Sequence, residues 1–204
     1  MGRLSRDCTI TEKIDGTNAQ IHIIDTVNVF DDADALDWWL NNDDFRIASV
    51  GGLDIYAGSR TRYITPGKTT DNFGFAAWVK ENSQDLAKLG PGRHYGEWWG
   101  KGIQRTYGLD ERRFSLFHNH GIKPLPYCVS VVPKLYEGPF WPEEYDWDGV
   151  RQCPVTSAMH YLKYGGSQAV LGFMKPEGIV IYHHGANVSF KKTFENDATG
   201  KEAA

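Results

Sequence analysis

Lys13 opens a short Lys-x-Asp-Gly pattern that ends at Gly16. A lysine amine attacks phosphorus only when it is neutral, so such a site needs a pocket or a neighbouring positive charge that favours loss of its proton. A short strand before the lysine and a glycine turn after it would hold the amine at the base of a cleft, where a nucleotide α-phosphate could approach it. The alternative is an exposed lysine in front of an Asp-Gly turn. The pattern alone leaves both interpretations open.

Further polar, basic and aromatic segments follow this pattern along the chain, at residues 59–61, 95–100, 114–117, 176–180 and 189–193. In this order, and together with Glu-Lys-Ile-Asp-Gly-Thr-Asn at residues 12–18, they resemble the motifs of the covalent nucleotidyltransferases, which include DNA ligases, RNA ligases and mRNA capping enzymes. Residues 12–18 are most similar to ATP-dependent RNA ligases of the phage type, because DNA ligases usually place an arginine soon after the glycine. The resemblance extends from about residue 11 to about residue 197.

The resemblance implies roles for residues that bind the nucleoside. Glu12 would accept a hydrogen bond from the exocyclic amine of adenine and so select ATP over GTP. Glu97 would bind the ribose hydroxyls, since one carboxylate accepts from two hydroxyls. Phe117 would stack on the base, and Arg60 would contact the ribose or an incoming 5′-phosphate. Without the resemblance, these side chains have ordinary interpretations as core or surface residues.

The resemblance also implies a metal site and a final lysine motif. Glu177 would hold Mg²⁺ or Mn²⁺ directly or through water, with Asp15 holding another of the waters. The family usually has two lysines separated by one residue, whereas Lys191 and Lys192 are adjacent here. Neighbours on a strand point to opposite faces, so only one can enter the site, and we favour Lys191 as a catalytic residue beside Lys13. The full nucleotide-binding set is Glu12, Asp15, Gly16, Asn18, Arg60, Glu97, Phe117, Glu177, Lys191 and Lys192.

Composition limits the class of protein. The 204 residues are 41% hydrophobic and 24% charged, which is typical of one globular domain. The net charge of -4 at pH 7 removes the simple argument that a basic protein binds nucleic acid.

Three cysteines without a Cys-x-x-Cys pair support neither a disulfide framework nor a structural zinc site. The first ten residues lack the apolar stretch of a secretory signal, and we expect a cytoplasmic protein, in the host cytoplasm if it is phage-encoded.

The pattern of apolar and turn residues predicts an α+β fold of antiparallel sheets with flanking helices. The resemblance implies that these elements form a nucleotidyltransferase, or ligase adenylation, domain around an ATP cleft. We expect residues 8–24 to form two short strands joined by a tight turn at Asp15-Gly16, and residues 46–57 to form a hairpin. Predicted helices cover residues 33–40, 73–89 and 156–164, and a final antiparallel pair covers residues 177–182 and 187–192.

We therefore expect an ATP-dependent RNA ligase that joins 5′-phosphate and 3′-hydroxyl ends, free or in a nicked duplex. The reaction would pass through a lysyl-AMP intermediate and an adenylated 5′ end. Three alternatives remain: a DNA ligase, a capping-type guanylyltransferase, which Glu12 argues against, and a nucleotide- or RNA-binding module without turnover.

We also expect residues 1–204 to form a single nucleotidyltransferase domain without a separate C-terminal domain. RNA would then be bound by the same domain, despite its acidic total charge. The predicted basic contacts are Arg60, Arg62, Lys68, Lys101, Arg105, Arg112 and Arg113.

Overall fold

The computed structural model describes residues 6–141 and 153–195. The chain forms two compact units, one made of residues up to Asp15 together with those from Val132 onward, the other of residues 16–131. The strands are β1 (Asp7–Lys13), β2 (Thr17–Asp25), β3 (Arg46–Val50), β4 (Leu53–Ser59), β5 (Tyr63–Ile64), β6 (Gly92–Gly100), β7 (Arg112–Leu116), β8 (Val129–Val131), β9 (Lys134–Pro139), β10 (Gly178–His183) and β11 (Val188–Thr193). The helices are α1 (Ala33–Asn41), α2 (Phe75–Glu81), α3 (Ser83–Leu86) and α4 (Pro154–Gly165). No helix in the described ranges has both the length and the apolar character needed to cross a bilayer.

The first unit is a four-stranded antiparallel sheet in the order β11-β10-β1-β9, with α4 packed on one face. Residues alternate along β1, so every second side chain points to the helix. The helix begins with a proline in its first turn and ends before Gly166, whose φ of 77° is left-handed. The core of this unit consists of Cys8, Ile10, Ala158, Leu162, Ile179 and Ile181.

The second unit is a seven-stranded sheet in the order β3-β4-β2-β6-β7-β8, with β5 beside β4. All pairs are antiparallel except β7 with β8. One face is apolar and is buried together with α2 and α3; it includes Ile21, Ala57, Trp98, Phe114 and Leu116. Strand alternation therefore leaves the side chains of the intervening positions on the opposite face.

Local signals predicted several elements correctly. α1 begins after Asp32, whose carboxylate accepts from the amides of Asp34 (3.0 Å) and Ala35 (3.1 Å). The hairpin β3-β4 turns at Gly51 and Gly52, both with positive φ. The predicted final pair is present as β10 and β11.

Three features depart from the sequence expectations or were not covered by them. β1 and β2 both exist, but they join different sheets instead of pairing with each other across the Asp15-Gly16 turn. The predicted helix over residues 73–89 is divided at Asn82, whose backbone amide (3.0 Å) and side-chain amide (2.8 Å) both donate to the Trp78 carbonyl. β9 was not predicted, and it adds an edge strand to the first sheet.

Gly16 follows β1 and lies against β6. Its amide donates to Glu97 Oε1 at 3.2 Å. A Cβ at this position would lie 2.5 Å from the carbonyl oxygen of Trp98 and 2.7 Å from Cβ of Trp99. Backbone packing alone therefore requires the glycine of the Lys-x-Asp-Gly pattern.

The Gly16→Ala substitution is expected to lower the free energy of unfolding by about 1–3 kcal/mol, because the added methyl overlaps backbone in a packed region. Urea titration followed by tryptophan fluorescence measures this change. The matched control is Gly165→Ala at the end of α4, where an added Cβ meets no atom within 4 Å. It should be neutral or stabilising by up to about 1 kcal/mol. Equal effects of the two substitutions would contradict the steric argument.

Candidate active site

Lys13 and Glu177 form an ion pair between Nζ and Oε2. Lys13 ends β1, Glu177 directly precedes β10, and the antiparallel register places Lys13 opposite Gly178. The two side chains are largely buried, with 20% and 17% of their surface exposed. The ion pair therefore holds the Lys13 amine at the end of β1, beside the Glu177 carboxylate.

Gly178 allows Glu177 to reach this position. Its φ is +153°, and a Cβ there would overlap the carbonyl oxygen of Lys192 and lie 2.7 Å from Cα of Thr193. The glycine of the 176–180 motif is therefore required by close packing of β10 against β11.

Register decides which of the two final lysines shares a face with Lys13. Directly opposed residues of antiparallel strands lie on the same face. Lys191 is opposite Val180, which is opposite Thr11, two residues before Lys13 on the same face of β1. Lys192 is aligned with Ile179 and Glu12 and so belongs to the other face. Sequence alternation restricted the choice to one lysine, and the strand pairing places Lys191 on the Lys13 face.

Glu12 lies on the core face of β1, opposite to the Lys13 face. Its side chain is 1% exposed. Oε1 accepts from the Ser167 hydroxyl at 2.6 Å, and Oε2 accepts from the amides of Gln168 (2.7 Å) and Ala169 (3.1 Å). Burial raises the pKa of Glu12, while these hydrogen bonds act in the opposite direction. The contact of Glu12 with adenine stays a prediction. In the structure, both oxygens of the Glu12 carboxylate accept hydrogen bonds from the protein.

Sequence reasoning missed the 167–169 segment. The sequence shows only Gly165-Gly166 after a helical pattern, which marks the end of a helix. Nothing local indicates that the following serine binds a carboxylate 155 residues earlier in the chain.

In the second unit, Asn18, Glu97 and Ser115 form one row across β2, β6 and β7. Their side chains therefore share the face that α2 and α3 do not cover. Glu97 is 8% exposed, and it also accepts from the amide of Gly16. The structure thus brings the predicted ribose ligand together with Gly16 and Asn18 of the first motif.

Phe117 lies immediately after β7, on the same face as Ser115 and Glu97. Its amide donates to the carbonyl of Tyr95 at 3.0 Å, so these two residues are directly opposed. Phe117 is 43% exposed and Tyr95 is 51% exposed, whereas Phe114 is buried in the core. An exposed ring on this face has the character that base stacking requires.

The predicted basic contacts differ in what their side chains already bind. Arg60, Arg62 and Lys101 are exposed. Arg112 donates to the carbonyls of Lys101 (2.9 Å) and Phe73 (2.8 Å), and Arg113 pairs with Glu111 (2.6 Å). Arg112 therefore supports the fold of this unit and Arg113 is neutralised by an exposed carboxylate, so substitutions there would not test RNA binding alone.

A divalent cation would have few protein ligands. Across residues 6–141 and 153–195, no group of three or more His, Cys, Asp or Glu side chains could hold a metal ion. Glu177 is partly accessible, and Asp15 is half-buried two residues after Lys13. A site with so few protein ligands is compatible with Mg²⁺, which keeps several waters and is commonly bound by one or two carboxylates together with substrate phosphates.

Solved structures with a similar fold come from the Naegleria gruberi RNA ligase. A lysine-to-alanine variant with ATP and manganese aligns with a TM-score of 0.52 and 16% identity, over 94% of this chain and 50% of that chain. A glutamate-to-alanine variant with ATP and manganese gives 0.54 and 16%, over 98% and 53%. A lysine-to-methionine variant with AMP and manganese gives 0.51 and 15%, over 94% and 50%. At this identity the likeness shows the fold, and the chain spans about half the length of these structures.

Among curated protein sequences, none matches the chain significantly. A family model described as RNA ligase matches residues 6–193, which is nearly the whole chain and includes every candidate residue discussed above. The chain belongs to the RNA ligase family.

Proposed function

We propose that this protein is an ATP-dependent RNA ligase that acts through a lysyl-adenylate. The Lys13 amine loses its proton and attacks the α-phosphorus of ATP, and pyrophosphate leaves. The AMP then passes to the 5′-phosphate of an RNA end, and a 3′-hydroxyl displaces AMP to form the phosphodiester. The observation that carries this proposal is the Lys13–Glu177 pair at the ends of two adjacent strands, within a chain of the RNA ligase family.

The similar Naegleria structures contain ATP or AMP with manganese, which supports ATP and a divalent cation as partners here. Glu177 and Asp15 would hold the cation, largely through water. When bound, it neutralises charge on the phosphates and competes with Lys13 for the Glu177 carboxylate.

The other candidate residues bind and orient the nucleotide. Glu97 accepts from the ribose hydroxyls, Asn18 contacts the nucleotide beside it, and Phe117 stacks on the adenine ring. Lys191, on the Lys13 face of its sheet, stabilises charge that develops on the α-phosphate. Positioning and charge neutralisation are the main sources of rate in such displacements at phosphorus.

We also propose that the nucleotidyltransferase domain itself contacts RNA. In the second unit, exposed Arg62 and Lys68 offer phosphate contacts without the structural bonds of Arg112. A DNA ligase remains the second candidate, because the same adenylation residues would serve it. Sealing of matched nicks in RNA and DNA duplexes separates the two.

Incubation with ATP and Mg²⁺ should add one AMP to the wild-type chain, as measured by intact mass. Lys13→Ala should give no adduct, because the nucleophile is absent, and Lys13→Arg serves as the charge-preserving control that also gives none. An adduct on either variant would show that another group is the nucleophile.

Adenylation kinetics should also distinguish the two final lysines. Lys191→Ala is expected to slow adduct formation by roughly 100-fold, the usual effect of removing one donor to a developing charge. The matched substitution Lys192→Ala should slow it much less, since Lys192 lies on the other face of the sheet. Equal losses, or the larger loss at Lys192, would contradict this assignment.

For RNA binding, the double substitution Arg62→Glu/Lys68→Glu should weaken affinity for a 5′-phosphorylated RNA strand. The slope of log K against log salt should fall by about 0.7 for each RNA phosphate that the protein no longer neutralises. Fluorescence anisotropy at several salt concentrations measures both quantities. Lys80→Glu/Lys163→Glu is the charge-matched control on exposed helix positions. An unchanged slope in the first variant, or the same loss of affinity in both, would exclude Arg62 and Lys68 from the RNA interface.

A further inference from the structure

The face of the second unit that α2 and α3 do not cover continues along β6 from Glu97 to Tyr95 and Arg93. Side chains two residues apart on a strand point to the same face, so these three residues share it. Along the strand, Glu97 and Arg93 are about 13 Å apart, at about 3.3 Å per residue. Tyr95 is 51% exposed, and Arg93 is also exposed. An aromatic ring and a cation therefore extend this face beyond the residues assigned to the nucleotide.

The Tyr95 ring is open on the side of its neighbour in β2. Register places Tyr95 directly opposite Gln20, and the Tyr95 carbonyl accepts from the amide of Phe117 on its other side. Gln20 leans away, over Gly58 of β4: a Cβ at Gly58 would lie 2.8 Å from Cγ and from Nε2 of Gln20, and this Nε2 donates to the Ser59 carbonyl at 3.0 Å. The Tyr95 ring therefore keeps a large exposed area beside Phe117, which a flat base can cover.

Arg93 is held in place by neutral groups. One of its terminal nitrogens donates to the Tyr63 hydroxyl and, at 3.4 Å, to Oε1 of Gln20. Its Cζ lies 5.8 Å from the ring centroid of Trp38 and 5.8 Å from that of Tyr63. Among the described residues, no carboxylate forms an ion pair with Arg93. The guanidinium is therefore oriented but not neutralised, and it has further N–H donors for a ligand.

A buried histidine supports this arrangement through Tyr63. Since arginine only donates, the Tyr63 hydroxyl accepts from Arg93, and its own proton can donate to Nδ1 of His22 at 3.0 Å. Burial, followed by the nearby Arg93 and His94, lowers the pKa of His22 to about 4. The imidazole is therefore neutral at neutral pH and can accept this bond. Because the guanidinium is set before a ligand binds, less ordering is required on binding.

An exposed ring beside an unneutralised arginine has the chemistry that recognises single-stranded nucleic acid. Stacking on a side chain requires a base whose flat face is free, which excludes a base inside a continuous duplex. The guanidinium fork matches the oxygens of a phosphate. Tyr95 is also directly opposed to Phe117, so a base on Tyr95 would lie next to the base that we assign to Phe117.

We propose that Tyr95 and Arg93 bind an unpaired nucleotide at the end of the RNA substrate: Tyr95 stacks on its base, and Arg93 contacts a phosphate. This inference rests on the proposed function and names a surface of the second unit that contacts the substrate. It adds a base contact to the phosphate contacts of Arg62 and Lys68. The two residues take no part in forming the adenylate, so their loss affects RNA binding and not the reaction with ATP.

The base contact is tested by the affinity of Tyr95→Ala for a 5′-phosphorylated single-stranded RNA, measured by fluorescence anisotropy. The affinity should fall by roughly 5- to 150-fold, the usual effect of losing one stacked base. Tyr95→Phe keeps the ring and should bind like the wild type. Tyr127→Ala is the matched control, because Tyr127 is a fully exposed tyrosine of the same unit. Affinity for a blunt RNA duplex should change little in Tyr95→Ala, since its bases are paired.

The phosphate contact is tested by Arg93→Met, which removes the charge but keeps an unbranched apolar stem against Trp38 and Tyr63. The slope of log K against log salt should fall by about 0.7, the value for one phosphate of a single strand. Arg93→Lys keeps the charge and should keep the slope. Lys80→Met, at an exposed position of α2, is the control for loss of one cation. If Arg93→Met does not fold, Arg93→Lys and the Tyr95 variants still decide the proposal.

Adduct formation with ATP and Mg²⁺ separates this proposal from the proposed function, because it requires no RNA. Tyr95→Ala and Arg93→Met should form the adduct at the wild-type rate. Slower adduct formation in Tyr95→Ala, equal losses of affinity for single strand and duplex, or a loss no larger than in Tyr127→Ala would overturn the proposal. A wild-type chain without affinity for single-stranded RNA would also overturn it. A wild-type chain that binds RNA but forms no adduct would contradict the proposed function alone.

Discussion

The ion pair between Lys13 and Glu177 is the interaction on which the candidate site depends. The two residues are 164 positions apart in the chain, and only the antiparallel pairing of β1 with β10 brings them together. A partly buried pair is stable only as a pair, since removing one partner leaves a charge in a poorly solvated position. The proposed reaction has to separate this pair, since the amine it uses is held here by a carboxylate.

The face of the second unit that carries Asn18, Glu97 and Phe117 depends on close backbone packing around Glu97. Trp98 and Trp99 follow it along the chain and point to opposite faces, both almost fully buried. The indole of Trp98 donates to the Phe73 carbonyl (3.0 Å), and that of Trp99 donates to the Ser115 hydroxyl (2.8 Å). Both rings are thus fixed by packing and by a hydrogen bond, which leaves the neighbouring carboxylate little freedom. The Glu97 carboxylate is therefore a preorganised hydrogen-bond acceptor for a ligand.

Sequence predicted the parts of the fold whose causes are local. The Asp32 cap, the Gly51-Gly52 turn and the strand pair at the end of the chain each have a signal within a few residues. Partner choice over long distances has no such signal: the two strands on either side of Asp15-Gly16 were predicted, but not that they join different sheets. The candidate site shows the same division. Motif spacing singled out Lys13 and Glu177 as candidates, whereas their proximity and the face of Lys191 follow from the strand register.

Net charge is a poor guide to what this surface can bind. Charges separated by more than a Debye length of about 8–10 Å are largely screened, so a polyanion responds to the local arrangement and not to the total of -4. Some cations are neutralised locally, as Arg113 is by Glu111. Arg112 instead holds two backbone carbonyls, and its charge has a structural role. If the chain binds RNA as proposed, the exposed cations outside such bonds are the residues that would respond to it, and their number, not the composition of the chain, would set the electrostatic part of affinity.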